Sequence, residues 1–115
     1  MVINNATTSI SFFPFVSFDG VSSVTVQVWH KNTKTLVEGT QTPTLTDSKV
    51  TLSLPSLTTI ADKADDLDTV LIRVISDNAL LWEYVATWST ESTDINREFK
   101  DWDTVDAVGP NWLTI

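Results

Sequence analysis

The chain has 115 residues, the usual size of one domain, and carries 15 Asp and Glu against 7 Lys and Arg, a net charge of −8. It has no cysteine, which excludes a disulfide scaffold and a cysteine-bound metal site. The acidic surplus argues against nucleic-acid binding, which needs clustered Lys and Arg. We expect no secretory or lipidation signal and no membrane span, since no apolar run approaches the roughly 20 residues that a bilayer crossing requires.

Alternation of apolar and polar residues with period 2 dominates the chain and predicts β-strands. Residues 7–18 predict one or two extended segments, and Pro14 inside them indicates a sheet edge or a kink. Residues 24–29 alternate Val with other residues and predict a strand that forms a hairpin through an Asn-containing turn at 31–34. We expect Trp29 to pack in the core, as large aromatic residues do in sandwiches.

The middle of the chain predicts further strands and one helix. Residues 40–46 predict a weak strand, and residues 50–54 predict a strand that the following proline stops. Apolar residues then recur at steps of three and four, which predicts a helical crossover from Leu57 to Asp66 with Ser56 as its N-cap. This crossover is expected to carry the chain from one side of a sandwich to the other.

The clearest predicted hairpin joins residues 70–75 to residues 80–88 through a turn. Trp82, Tyr84 and Trp88 share one parity on the second strand, so their side chains face the same side. If that side faces inward, the tryptophans belong to the core. If it faces outward, they form a platform that stacks on sugar rings, and the chain is a carbohydrate-binding module with a glycan partner.

Two stretches carry a resemblance to a known fold. Val50 to Leu57 (VTLSLPSL) and Val70 to Trp82 (VLIRVISDNALLW) resemble the last strands of an immunoglobulin-like or fibronectin-III-like sandwich. With Trp29 on an earlier strand, the resemblance extends over residues 8–89. It implies an all-β, immunoglobulin-like β-sandwich of about seven strands with one short helical crossover, in a domain that spans residues 1–89.

The composition changes after Trp88, and we predict a C-terminal arm over residues 90–115. Residues 91–115 contain six acidic and two basic residues, a net charge of −4, and they end in an apolar stretch. Exposed tryptophans are enriched at protein interfaces. We therefore expect the arm to dock on a partner subunit; the alternative is that it folds back onto its own sandwich. The predicted partner-binding residues are Phe99, Trp102, Trp112, Leu113 and Ile115.

No arrangement of side chains predicts catalysis. His30 is expected at the surface, at a strand end, and no nucleophile signature accompanies it. The aspartates at 62, 65, 66 and 68 lack the spacing and the glycine of a calcium loop, so they predict a solvated helix end. We expect a protein that is not an enzyme and holds neither a cofactor nor a metal ion.

The chain as a whole resembles the small structural proteins of tailed bacteriophages, including those of crAss-like phages. The shared features are the absence of cysteine, the abundance of Thr and Ser, the acidic charge and a terminal arm with aromatic residues. The resemblance implies a non-enzymatic virion component, assembled in the host cytoplasm, such as a neck or tail ring, an adaptor or a capsid decoration. Its partners would be other virion proteins and copies of itself.

Overall fold

A computed structural model describes residues 1–90, which form eight strands and one short helix. In chain order these are β1 (Val2–Ile3), β2 (Ser9–Phe12), β3 (Val24–His30), β4 (Thr35–Gln41), β5 (Thr44–Thr46), β6 (Lys49–Ser53), α1 (Thr58–Ala61), β7 (Thr69–Ser76) and β8 (Ala79–Trp88). One sheet has the order β1-β8-β7-β3-β4 and the other β2-β6-β5. All pairs are antiparallel except β1 with β8, which run parallel.

The two sheets pack face to face around one hydrophobic core, to which both contribute buried residues. The contact is clearest where Phe12 of the small sheet stacks on Trp82 of the large sheet, with ring centroids 4.0 Å apart and ring planes 10° apart. The predicted all-β sandwich with one helical crossover is confirmed, and β1 is a strand that the sequence analysis missed. The immunoglobulin-like subtype stays a prediction.

Two hairpins close through two-residue turns with unusual backbone angles. Asp77 and Asn78 connect β7 to β8 with φ of 50° and 65°, and Asp47 and Ser48 connect β5 to β6 with φ of 52° and 69°. Left-handed angles at both central residues define the type I′ turn, which matches the twist of the strands that it joins. Asp and Asn tolerate these angles better than most residues.

Proline positions mark where strands end. β2 stops at Phe12, before Pro14, and it lies at an edge of the small sheet, as predicted. The predicted strand over 40–46 is two strands, because Pro43 lies between β4 and β5. The chain leaves the large sheet at this point and enters the small one. A proline here costs no ladder hydrogen bond.

The crossover is shorter than predicted. α1 is a single turn, and the N-cap position belongs to Leu57 without a side-chain cap, so the prediction of Ser56 as cap and of a helix to Asp66 was wrong. The apolar stripe buries Leu57 and Ile60, but Leu67 is 65% exposed and has a left-handed φ of 72°. A helix cannot contain that angle. The predicted passage from one sheet to the other is correct.

Strand alternation decides which face each aromatic residue occupies. Val24, Val26 and Val28 of β3 are buried between the sheets, so Trp29 lies on the opposite, outward face and is only half-buried. The prediction that Trp29 packs in the core was therefore wrong. Trp82 and Trp88 of β8 are fully buried on the inner face.

Candidate interaction surface

A groove opens where the chain leaves β2, between residues 13–19 and the β5–β6 hairpin, and it encloses about 360 Å³. This volume is in the range that receives small ligands or a few side chains of a partner. We call it the aromatic groove. The lining residues that matter here are Phe13, Phe15, Phe18, Asp19, Leu45 and Asp47.

The aromatic groove gathers three large apolar side chains that are exposed in the part of the chain that the structure describes. Phe12 points into the core, so alternation turns Phe13 outward. Phe13 is 41% exposed, Phe15 69% and Leu45 43%. Across residues 1–90, five large apolar side chains are exposed, and these three all line this one groove. Clustered exposure of this kind marks sites of interaction with other proteins or ligands.

The floor of the aromatic groove is continuous with the core. Phe18 is buried and packs edge-on against Phe12, with ring centroids 5.8 Å apart and an angle of 70°. A β-turn follows, in which the Val21 N–H donates to the Phe18 carbonyl at 3.1 Å. Gly20 supplies the left-handed φ of 80° at the third position of this turn. The core and this turn together hold Phe18 in place at the floor of the groove.

The charge of the aromatic groove is negative. Among its lining residues the ionisable ones are Asp19 and Asp47, and none is Lys or Arg. The surface therefore combines exposed aromatic rings with carboxylates at its rim. It suits an apolar or aromatic group that carries a positive charge beside it.

A second polar feature is the His30–Asp68 network, which comprises His30, Asp68, Asn32, Thr33 and Thr35. Asp68 Oδ2 lies 2.8 Å from His30 Nε2, and its carboxylate also accepts hydrogen bonds from the Asn32 amide and the Asp65 N–H. A carboxylate only accepts, so the imidazole donates through Nε2. In the neutral imidazole, Nδ1 then accepts from the Thr33 hydroxyl at 2.6 Å.

The His30–Asp68 network has the order carboxylate, imidazole, hydroxyl, which nucleophilic enzymes also use. The imidazole is fully buried, and the Thr33 hydroxyl is shared with the buried Thr35 at 2.7 Å. The chain of bonds thus joins the β3–β4 hairpin to the loop before β7. The prediction that His30 lies at the surface was wrong, because His30 has the inward parity of Val24, Val26 and Val28.

The electrostatic state of Asp68 follows from its hydrogen bonds. The Asp65 N–H and then the His30 imidazole, which stabilise the charged carboxylate, hold the pKa of Asp68 below its ordinary value of 3.8. Asp68 is therefore a structural acceptor at neutral pH. Its carboxylate oxygens are engaged by protein donors, and within the described part of the chain no three His, Asp or Glu side chains gather to hold a metal ion.

Glu83 is a buried carboxylate on the outward face of the large sheet. Its Oε2 accepts from Arg73 Nε at 2.9 Å, and the two residues stand directly opposite each other on β7 and β8. Its Oε1 has no hydrogen-bond partner among residues 1–90. A buried charge without a counter-ion destabilises the folded state, so the ionised Glu83 carboxylate depends on Arg73 for its neutralisation.

The predicted site residues fall into two groups. Phe99, Trp102, Trp112, Leu113 and Ile115 lie outside the described residues, as does the predicted arm from residue 91 onward. Trp82 and Trp88 lie in the core, so they cannot form a platform for sugar rings. Of residues 1–90, no helix is long and apolar enough to cross a membrane.

Sequence reasoning missed the aromatic groove, although a signal was present. Four of the five phenylalanines occur within residues 12–18. A strand can turn at most alternate members of such a run inward, so some must be exposed. Leu45 and Asp47 carry no local signal, since only the pairing of β5 with β6 beside β2 brings them to the groove.

Comparison of the chain with models of protein families, with curated proteins and with solved structures finds no match.

Proposed function

We propose that this protein is a non-enzymatic assembly subunit, and that the aromatic groove is one of its contacts with other protein subunits. The single observation that supports this most strongly is the clustering of Phe13, Phe15 and Leu45, all more than 40% exposed, around one groove. Exposure of such side chains to water is unfavourable in free energy, and their burial against a partner would stabilise the complex.

The setting that we propose is the particle of a tailed bacteriophage, where the protein would act as a neck or tail ring component, an adaptor or a capsid decoration. This rests on the resemblance in composition and on the small all-β sandwich. The proposed partners are copies of this chain and other virion proteins.

The alternative of a carbohydrate-binding module loses its motivating feature. The shared parity of Trp82 and Trp88 suggested a platform, but both indoles are buried between the sheets. The exposed phenylalanine rings are those of Phe13 and Phe15, which line the aromatic groove. The assembly function is therefore the better supported of the two.

Light scattering of the purified full chain over a range of concentrations tests the proposal. We expect an oligomer of defined mass that Leu45→Ser dissociates, because this substitution removes apolar surface from the aromatic groove. Leu36→Ser is a matched control. Leu36 is 45% exposed against 43% for Leu45, also lies on an edge strand, and does not line the groove.

An oligomer that dissociates equally in both variants, or in neither, would contradict a contact through the groove. A chain that is monomeric at every concentration would contradict self-association altogether.

A further inference from the structure

We infer that Thr33 is an activated nucleophile, and that its hydroxyl takes up an acyl group from an aryl ester or a thioester. The His30–Asp68 network supplies what such a reaction needs: a hydroxyl, a base beside it and a carboxylate that orients the base. The inference stands apart from the proposed assembly function, because one acyl group per chain is a modification and not turnover.

The hydroxyl and the base lie within the distance that proton transfer needs. Thr33 Oγ1 is 2.6 Å from His30 Nδ1, and the Asp68 carboxylate lies 2.8 Å from the other ring nitrogen. A general base acts across about 2.6–3.2 Å, and a third group that orients the base is the usual sign of an activated hydroxyl. Because Nε2 donates to Asp68, Nδ1 presents its lone pair to the Thr33 proton.

Thr35 assists from the other side of the Thr33 hydroxyl. The two threonine hydroxyl oxygens are 2.7 Å apart, and since Thr33 donates its one proton to the imidazole, Thr35 donates to Thr33. This second bond orients the Thr33 hydroxyl and stabilises the negative charge that develops on its oxygen as the proton leaves. Thr35 is buried, so water competes little for this bond.

Burial separates the base from the solvent and leaves the nucleophile accessible. The imidazole of His30 is fully buried, whereas Thr33 is exposed in the turn at residues 31–34 that joins β3 to β4. An acyl donor in solution can therefore approach Thr33 but cannot contact the ring of His30. The hydroxyl, and not the imidazole, is the group that we expect to react.

The reaction is a balanced acyl transfer. Thr33 Oγ1 attacks the carbonyl carbon of the donor and forms the new ester bond, while the Thr33 proton passes to His30 Nδ1. The bond from that carbon to the leaving oxygen or sulfur breaks, and its electron pair leaves with the phenolate or thiolate. The imidazolium, stabilised by the Asp68 carboxylate, then gives its proton to the leaving group. The products are acylated Thr33 and a phenol or thiol.

Acylation of the purified full chain by para-nitrophenyl acetate tests the inference. Release of nitrophenolate gives the rate, and fragmentation mass spectrometry locates the acetyl group. Hydroxylamine separates the products, because it removes esters and leaves acetylated lysines intact. We expect Thr33 to be acetylated about 100-fold faster than Thr58 of the same chain, since a positioned general base contributes about that factor.

Thr58 is a matched internal control. It is exposed like Thr33, but its hydroxyl lies 3.1 Å from the Ser56 hydroxyl and not beside an imidazole. The comparison is made within one folded wild-type chain, so it does not depend on any variant being stable.

Variants show whether the network is responsible for the reactivity. Thr33→Val should lose the ester, whereas Thr33→Ser should keep it because serine retains the hydroxyl. Asp68→Asn should slow the acetylation of Thr33 by at least about tenfold. The asparagine amide can donate to Nε2, which moves the ring proton to Nδ1 and removes the acceptor for the Thr33 proton. Thermal unfolding of each variant checks that it is folded.

The position of the ring proton gives a readout that a purely structural role would not link to the rate. His30 is the only histidine of the chain, so the nitrogen NMR signals of its ring are assigned without ambiguity. They should show the proton on Nε2 in the wild type and on Nδ1 in Asp68→Asn. A loss of rate is then tied to the tautomer and not to a general loss of stability.

The outcomes decide the inference in either direction. Acetylation of Thr33 that is fast in the wild type, kept in Thr33→Ser and lost in Asp68→Asn supports it. Equal rates at Thr33 and Thr58 in the wild type would overturn it, as would a Thr33 rate that Asp68→Asn leaves unchanged. The oligomeric state, which tests the proposed function, bears on neither result.

Discussion

His30 and Asp68 are 38 residues apart in the chain, yet the imidazole Nε2 and the carboxylate Oδ2 lie 2.8 Å apart. The contact joins the end of β3 to the residue that precedes β7, two strands that pair directly in the large sheet. A buried imidazole must have partners for its nitrogens, and Asp68 and Thr33 provide them. The pair therefore links β3 to the start of β7 within the large sheet.

Asp68→Asn should weaken the dependence of stability on acid pH. The pKa of Asp68 is lower in the folded protein than its ordinary value of 3.8, so the carboxylate stabilises the fold above that value. This contribution is lost as the pH falls through the folded pKa. Urea unfolding at several pH values between about 2 and 6 gives the free energy of unfolding at each pH. The slope of this free energy against pH should be smaller for the variant than for the wild type. Asp62→Asn is the control, and an equal slope in Asp68→Asn and wild type would contradict the prediction.

Arg73→Met should destabilise the protein by about 3 kcal/mol, because it leaves the buried Glu83 carboxylate without its counter-ion. Adding Glu83→Leu should restore most of the lost free energy of unfolding, since the buried charge is then gone. Urea unfolding at neutral pH measures both variants. The explanation fails if the double variant is as unstable as Arg73→Met alone.

Leu67→Asn should raise the free energy of unfolding by about 1 kcal/mol. A left-handed backbone angle costs leucine about that much, while asparagine adopts it readily. Leu67 is 65% exposed, so little apolar burial is lost. Leu36→Asn, at an exposed leucine in a regular strand, should give no such gain. A loss of stability at Leu67 would show that its side chain makes a contact that outweighs the strain.

Much of the fold was predictable because strand signals are local. Alternation along β3 and β8, the turn residues at 31–34 and 77–78, and the prolines near strand ends lie within a few residues of one another. The same alternation also places His30 inward and Trp29 outward, because position parity, and not the size of the ring, decides which face of a strand a side chain occupies. β1 was missed because two residues carry no period.

By itself the sequence determined the class of fold, the two main hairpins and the crossover between the sheets, since each depends on neighbours along the chain. The tertiary structure alone decided that Asp68 meets His30, that Arg73 neutralises Glu83, and that Leu45 and Asp47 meet the phenylalanines of residues 13–18. Each of these contacts depends on which strands pair and in what register. Strand pairing and register are set by the burial of the whole core, so they cannot be read from any short stretch of sequence.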